Sequence, residues 1–181
     1  MALSAGVDVV VVTGPPGSGK TTVSRALADA AKLSVHVESD WFFRFLRAGR
    51  IPPYLPDSRK QNDIVMDLTV DAVVAYANGG YLVFWDGIVG PWYLDRVTAR
   101  IPAGIKFHYV VLRPPRDIAL ARVVERDGIT ELSGAEVMYR HFEQLGDYES
   151  HSVDTEGSVE TLVRSLEADL HEGRFLHTTR T

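Results

Sequence analysis

Eight consecutive residues, Gly14-Pro15-Pro16-Gly17-Ser18-Gly19-Lys20-Thr21, bring glycines, an ammonium and a hydroxyl together near the start of the chain. They satisfy G-x-x-x-x-G-K-S/T in full. A polyphosphate needs many donors at close range, and glycine lets backbone N–H groups approach with no Cβ in the way. A helix starting near Lys20 would add its N-terminal dipole and unpaired amides. In this pattern Lys20 bridges the β- and γ-phosphates and the Thr21 hydroxyl ligates Mg²⁺. Thr22 continues the same turn. The expected ligand is a nucleoside triphosphate with Mg²⁺. The plainer alternative is a glycine-rich turn with a chance lysine, but a strand before the loop and a helix after it are the context a phosphate cradle needs. The motif is silent on what accepts the phosphate.

Other residues could do chemistry beside it. Asp40, in Glu38-Ser39-Asp40-Trp41, follows a short β-branched run. A carboxylate there can orient a hydroxyl and take its proton, or cap the next helix; the two are compatible. Asp86 ends the apolar run Tyr81 to Trp85, where a Walker B-like, Mg²⁺-directed carboxylate would sit; otherwise Asp86-Gly87 is a turn. No Glu follows Asp86. Arg122 and Arg126 share a helix face and suit charge spread over phosphoryl oxygens, or else form a solvated face paired with Glu125 or Asp127.

Arg44 and Arg47 fall on one helix face with Asp40, among Trp41, Phe42, Phe43 and Phe45. Arg50 and Arg59 flank a proline-rich loop with Tyr54. Arginines with aromatics suit a substrate carrying an anionic group and a ring; alternatively the aromatics are core and the arginines solvated. His36, Glu38 and Asp40 alternate, which is either a polar strand end or a metal site.

The elements that must position these residues alternate strand and helix. Strands are expected at Asp8 to Thr13, Val35 to Glu38, Tyr81 to Trp85, Lys106 to Leu112 and Ser150 to Val153. Helices are expected over Lys20 to Ala31, Asp40 to Ala48, Ser58 to Ala77, Pro91 to Arg100, Pro115 to Arg126, Ser133 to Leu145 and Ser158 to Leu170. Ser58/Gln61 and Ser133/Glu136 have capping-box spacing. Arg50 to Asp57 is loop, and the last residues are expected to fray. This order predicts a three-layer α/β/α sandwich around a five-stranded parallel sheet, with ligands at the carboxyl ends of the strands.

With 181 residues the chain makes one domain. A net charge of −5 argues against a protein that coats nucleic acid. Without cysteine there is no disulfide, thiolate nucleophile or zinc–thiolate site. Val9 to Val12 is too short for a signal core or a membrane span, so the chain is read as cytoplasmic, with no membrane partner.

Taken together, the phosphate loop, Asp40, Asp86 and the arginine pair resemble the P-loop kinase superfamily. The resemblance is to small-molecule kinases of the gluconate kinase, adenylylsulfate kinase and chloramphenicol phosphotransferase type, in element order over nearly the whole chain. It implies ATP as donor and Asp40 facing the acceptor. Asp86 would contact Mg²⁺ through water or hold the acceptor, and Arg122 or Arg126 would close on the phosphoryl group from a short lid over 127–134. Asp154 or Thr155, after the fifth strand, would lie near the adenine. The expected catalytic set is Lys20, Asp40, Arg122 and Arg126, with Asp40, Arg44, Arg59 and Asp86 toward the acceptor. The expected reaction moves the γ-phosphoryl group of Mg-ATP to a hydroxyl or phosphate of a small molecule, by a monomer or homodimer. A nucleotide or polynucleotide-end kinase is the first alternative. Arg44, Arg47 and Arg59 favour it, but the Asp-Gly-x-Pro-Arg signature of adenylate kinases is missing. The second is a regulatory P-loop ATPase or switch. Against it, the chain has no Asn-Lys-x-Asp motif, no Glu after Asp86 and no visible helical C-terminal domain.

Overall fold

The computed structural model describes residues 7–177. Strands Val9–Thr13 (β1), Ser34–Glu38 (β2), Leu82–Asp86 (β3), Phe107–Leu112 (β4) and Ser152–Val153 (β5) form one sheet in the order β2-β3-β1-β4-β5. All its pairings are parallel, which requires crossover connections. These contain helices Lys20–Ala30 (α1), Ser39–Arg44 (α2), Arg59–Asn78 (α3), Pro91–Thr98 (α4), Arg116–Asp127 (α5) and Leu132–Arg140 (α6); Val159–His171 (α7) follows β5.

The central strands are continuous apolar runs because both faces are covered. Val9 and Val11 of β1, Val83 and Trp85 of β3, and Phe107, Tyr109 and Val111 of β4 point to one core, with Met66, Val70 and Val73 of α3 and Leu94 and Val97 of α4. The alternate residues Val10, Val12, Leu82, Phe84, Val110 and Leu112 pack on Val23 and Leu27 of α1 and on Leu166 and Leu170 of α7. The fold is therefore the expected three-layer sandwich. Full burial of each Val or Leu side chain contributes about 1.5–3 kcal/mol, so the middle strands carry much of the fold's stabilisation.

Local details differ from the sequence expectation. α2 stops at Arg44 rather than Ala48; Phe45 is exposed and gives continuation no apolar face to bury. The two predicted capping boxes are not formed. The Ser58 hydroxyl donates to the carbonyls of Pro53 and Leu55, while the Gln61 amide accepts from Ile51 N and donates to Ile51 O. Both residues thus fasten the proline-rich loop instead of capping α3. Ser133 lies inside α6, and Glu136 pairs with Arg116. α6 ends at Arg140, short of Leu145, and a 3-10 segment, Gly146–His151, occupies part of the expected fifth strand. Ser158 does cap α7, accepting from Thr161 N. The frayed end expected at the C-terminus falls largely outside the described residues. Among the described residues, no helix is long and apolar enough to cross a membrane.

Candidate functional site

β1 delivers the chain to Gly14 at the carboxyl edge of the sheet, and α1 leaves from Gly19. Gly14 and Gly17 are obligatory for packing. Gly14 has φ +144°, and a Cβ there would lie 2.1 Å from Leu112 O. Gly17 has φ +78°, with a Cβ 2.1 Å from Ala119 O. Gly19 is the N-cap of α1 with φ 87°, and no side chain caps the helix. The first amides of α1 therefore point outward as unsatisfied donors.

Lys20 reaches back over the loop, its Nζ donating to Pro15 O at 3.0 Å. Burial lowers its pKa below 10.5, opposed by the negative charges of Asp86 and Asp40 and reinforced by Arg126. Ser18 Oγ is buried with no hydrogen-bond partner among the described residues. An uncapped helix start, an orphaned hydroxyl and a desolvated ammonium together fit a bound polyphosphate. The Thr21 hydroxyl and Asp86 carboxylate, both on the wall of the same cavity, offer hard oxygen donors of the kind Mg²⁺ selects.

Asp86 is only 5% exposed. Its position follows from register: it pairs with Val12 of β1 on one side and Glu38 of β2 on the other. His36 Nε2 lies 3.6 Å from Asp86 Oδ2, and His36 Nδ1 lies 3.8 Å from Glu38 Oε1. The expected alternation of His36, Glu38 and Asp40 ends at Glu38, because Asp40 is already in α2. No group of three or more His, Asp or Glu residues poised for a metal occurs among the described residues.

The β2–β3 pairing that sets Glu38 opposite Asp86 brings Asp40 toward Asp86, and one side-chain bond reinforces it. The Trp85 indole Nε1 donates to Ser39 Oγ at 2.7 Å inside the protein, fastening the start of α2 to the end of β3. Gly87 permits the approach, since a Cβ there would come 2.3 Å from Ser39 Oγ. The loop after Asp86 is also pinned: Val89 N donates to Thr13 Oγ1 at 2.9 Å, and the Tyr109 hydroxyl donates to Val89 O at 2.8 Å.

Beyond the loop opens a cavity of about 960 Å³. Pro16, Gly17, Lys20, Thr21, Asp40, Asp86 and Arg126 line its phosphate side. Tyr54, Val65, Met66, Ile88, Trp92 and Met138 form an apolar wall, with Asn62, Tyr93 and His141 as polar neighbours. Arg59 lies on the rim, its side chain 81% exposed and its Nε 3.7 Å from Asp63 Oδ1. Arg126 is hydrogen-bonded to Asp127, chiefly for which reason its pKa is raised.

Three expected site residues lie elsewhere. Arg44 stacks on Trp41, 4.5 Å from the ring centroid, and is not on the cavity wall. Arg122 is on a second, smaller cleft of about 180 Å³ with Ser18, Gly19, Thr22 and Thr155. There its Nη1 donates to Thr155 Oγ1 at 3.3 Å and to Gly17 O at 3.4 Å. Asp154 does not line that cleft; its Oδ1 accepts from Glu156 N and orders the turn. Of the aromatics after Asp40, Phe43 reaches the cavity and Phe42 packs on the core, whereas Trp41 and Phe45 are exposed. Trp92, Tyr93, Met138 and His141 were not singled out from sequence. They come from two separate helices and their ends, with no motif to announce them.

Residues 10–139 match the AAA domain family. No curated protein matches the chain significantly. Among solved structures, it is similar to a sugar kinase from Janibacter sp. (21% identity, 92% of this chain and 95% of that one, TM-score 0.68). It is also similar to the Deinococcus radiodurans tunicamycin resistance protein (18% identity, 96% and 99%, TM-score 0.68). A gluconokinase from Sinorhizobium meliloti aligns over 91% of each chain at 21% identity and TM-score 0.60. The chain belongs to the AAA domain family, and its fold is the P-loop NTPase kinase fold that these structures share.

Proposed function

We propose that this protein is an ATP-dependent kinase that phosphorylates a small molecule. The observation that carries the reading is the meeting of three charged groups at one border. Lys20, Asp40 and Asp86 lie between the phosphate loop and a cavity large enough for a second substrate. A hydrolase or switch needs the loop but not the cavity.

Mg-ATP, when bound, supplies the γ-phosphoryl group, whose bond to the ADP oxygen breaks as a bond to the acceptor oxygen forms. Lys20 exchanges Pro15 O for phosphate oxygens, recovering the counter-charge that burial denies it. Thr21 and Asp86 would hold the Mg²⁺, which would draw charge from the phosphate oxygens. Asp40 orients the acceptor hydroxyl, takes its proton and returns it to solvent. Arg126 leaves Asp127 to neutralise charge developing on the equatorial oxygens, carried by a short lid over residues 127–134. Arg122, Thr22 and Thr155 form the nucleotide's base end. The whole chain acts as one catalytic unit.

The test is ADP release from Mg-ATP with and without acceptors. Acceptor-dependent release that is lost in both Lys20→Ala and Asp40→Asn supports the assignment. Full phosphorylation by Asp40→Asn would remove Asp40 from the base role.

A further inference from the structure

The charges and shape of the cavity define its acceptor more narrowly than the kinase reading on which this inference rests. Five carboxylates line the wall, Glu38, Asp40, Asp86, Asp127 and Glu131, against the cations Lys20, Arg59 and Arg126. Two of these cations are needed elsewhere. Lys20 belongs to the phosphate loop, and Arg126 acts on the same Asp40–Asp86 neighbourhood while bonded to Asp127. The third, Arg59, is on the solvated rim, opposite Asp63. The half of the cavity away from the loop therefore has no buried cation to meet an anionic substrate, and the excess charge of the wall as a whole is negative. Arg44, which could have supplied one, faces away on Trp41.

The same half is unusually rich in uncovered apolar surface. Trp92 is 46% exposed and Tyr54 37% exposed, both on the cavity wall beside Met66 and Met138. Each ring lies against a glycine that leaves room for it. The Trp92 ring covers Gly90, where a Cβ would fall 2.2 Å from it, and it stacks edge-on against Phe142 at 5.6 Å between centroids. Tyr54 covers Gly134, where a Cβ would meet its ring at 2.6 Å. Aromatic walls with methionines between them hold apolar and ring-bearing ligands. The volume, about 960 Å³ with the phosphate side included, is at the top of the range of about 300–1,000 Å³ that encloses drug-sized ligands, which leaves the far half room for a ring-bearing body.

We propose that the acceptor is a neutral or cationic alcohol with an aromatic or apolar body, and not a sugar acid or a nucleoside monophosphate. This revises the anionic substrate expected from Arg44 and Arg59.

Two matched sets test it: phenyl β-glucoside, phenyl β-glucuronide and glucose; and adenosine, AMP and ribose. Each is titrated calorimetrically into the full chain saturated with a non-hydrolysable Mg-ATP analogue, and ADP release from Mg-ATP is followed in parallel. The expected result is that the neutral member carrying the aromatic ring, in at least one set, binds tenfold or more tightly than both its charged partner and the partner without an aromatic ring. Trp92→Ala should abolish that preference while keeping the wild-type circular dichroism. Met138→Lys should shift it toward the glucuronide or AMP. Tighter binding or faster ADP release with a charged member overturns the inference and leaves the kinase reading intact. No binding by any member also overturns it. Binding of the neutral member without ADP release supports the inference and removes the kinase reading.

Discussion

Replacing Lys20 by methionine should stabilise the nucleotide-free protein while destroying its chemistry. The ammonium is held inside the site with one carbonyl partner, Pro15 O, and desolvation outweighs the attraction of Asp86 and Asp40, so its pKa lies below 10.5. Methionine keeps the length and volume and removes the charge. Exchanging a buried ion pair for apolar groups of similar size is neutral or stabilising by about 1–4 kcal/mol, whereas removing one partner alone costs about 3–5 kcal/mol by leaving the other charge uncompensated; because desolvation of Lys20 outweighs its attraction to Asp86 and Asp40, the balance falls on the stabilising side, and we expect about 1–2 kcal/mol. For a chain of this size each kcal/mol raises Tm by about 2–4 °C, so the gain is about 2–8 °C. The effect has a pH signature. The native protein gives up this proton more readily than the unfolded chain, so wild-type stability rises as pH climbs through the lowered value toward 10.5. The variant has no such gain, and the difference in Tm should shrink over that window. Mg-ATP should reverse the ranking. At a hundredfold excess over Kd it stabilises the wild type by about 2.7 kcal/mol and the variant by less, while turnover falls by about 10²–10³ or more. Differential scanning calorimetry with and without Mg-ATP, from neutral pH upward, reads all of this. A lower Tm for the ligand-free variant, or an undiminished Mg-ATP shift, would refute the reasoning.

Further outcomes follow from the same geometry. Thr13→Val preserves shape but leaves the buried Val89 N–H without its acceptor; it should cost about 1–3 kcal/mol, read by chemical denaturation, and lower kcat because the loop after Asp86 loosens. Gly87→Ala puts a Cβ 2.8 Å from Ser39 Cβ, so α2 must move off β3; kcat should fall with nucleotide affinity nearly unchanged, read by steady-state kinetics. The two arginines should separate. Arg122→Ala should raise the KM for ATP, since Arg122 lies on the smaller cleft beside Thr155. Arg126→Ala should lower kcat more than nucleotide affinity. An equal effect of the two substitutions on both constants would show that they share one role.

The sheet and the phosphate loop were legible because their signals are local. An apolar run such as Val9 to Val12 can be satisfied only between two layers, and the glycine-lysine-threonine pattern has few other uses. Asp40 and Asp86 were legible for a related reason: Asp86 ends β3 and Asp40 follows the end of β2 by two residues, so strand register brings both to the carboxyl edge. Ser58 and Gln61 were misread because their spacing fits a capping box, but the proline-rich loop offered carbonyls and an amide nearer at hand. Arg44 was misplaced because α2 is one and a half turns long and its exposed indole neighbour, Trp41, captures the guanidinium. Arg122 shares a helix face with Arg126, yet one turn along α5 is enough to carry it to a different cleft. Of the apolar wall, Tyr54 alone was legible, as the aromatic of the proline-rich loop; Trp92 and Met138 come from two helices far apart in the chain, and only tertiary packing brings them to it.

The central claim is that the γ-phosphoryl group of Mg-ATP goes to an acceptor in the cavity and not to water. It is tested most directly by incubating the protein with γ-labelled Mg-ATP and an acceptor that releases ADP, then locating the label by mass spectrometry. The account predicts label on the acceptor in amounts equal to the ADP formed, and none transferred by Asp40→Asn. Label recovered wholly as inorganic phosphate, at a rate indifferent to every acceptor, would contradict it and leave an ATPase.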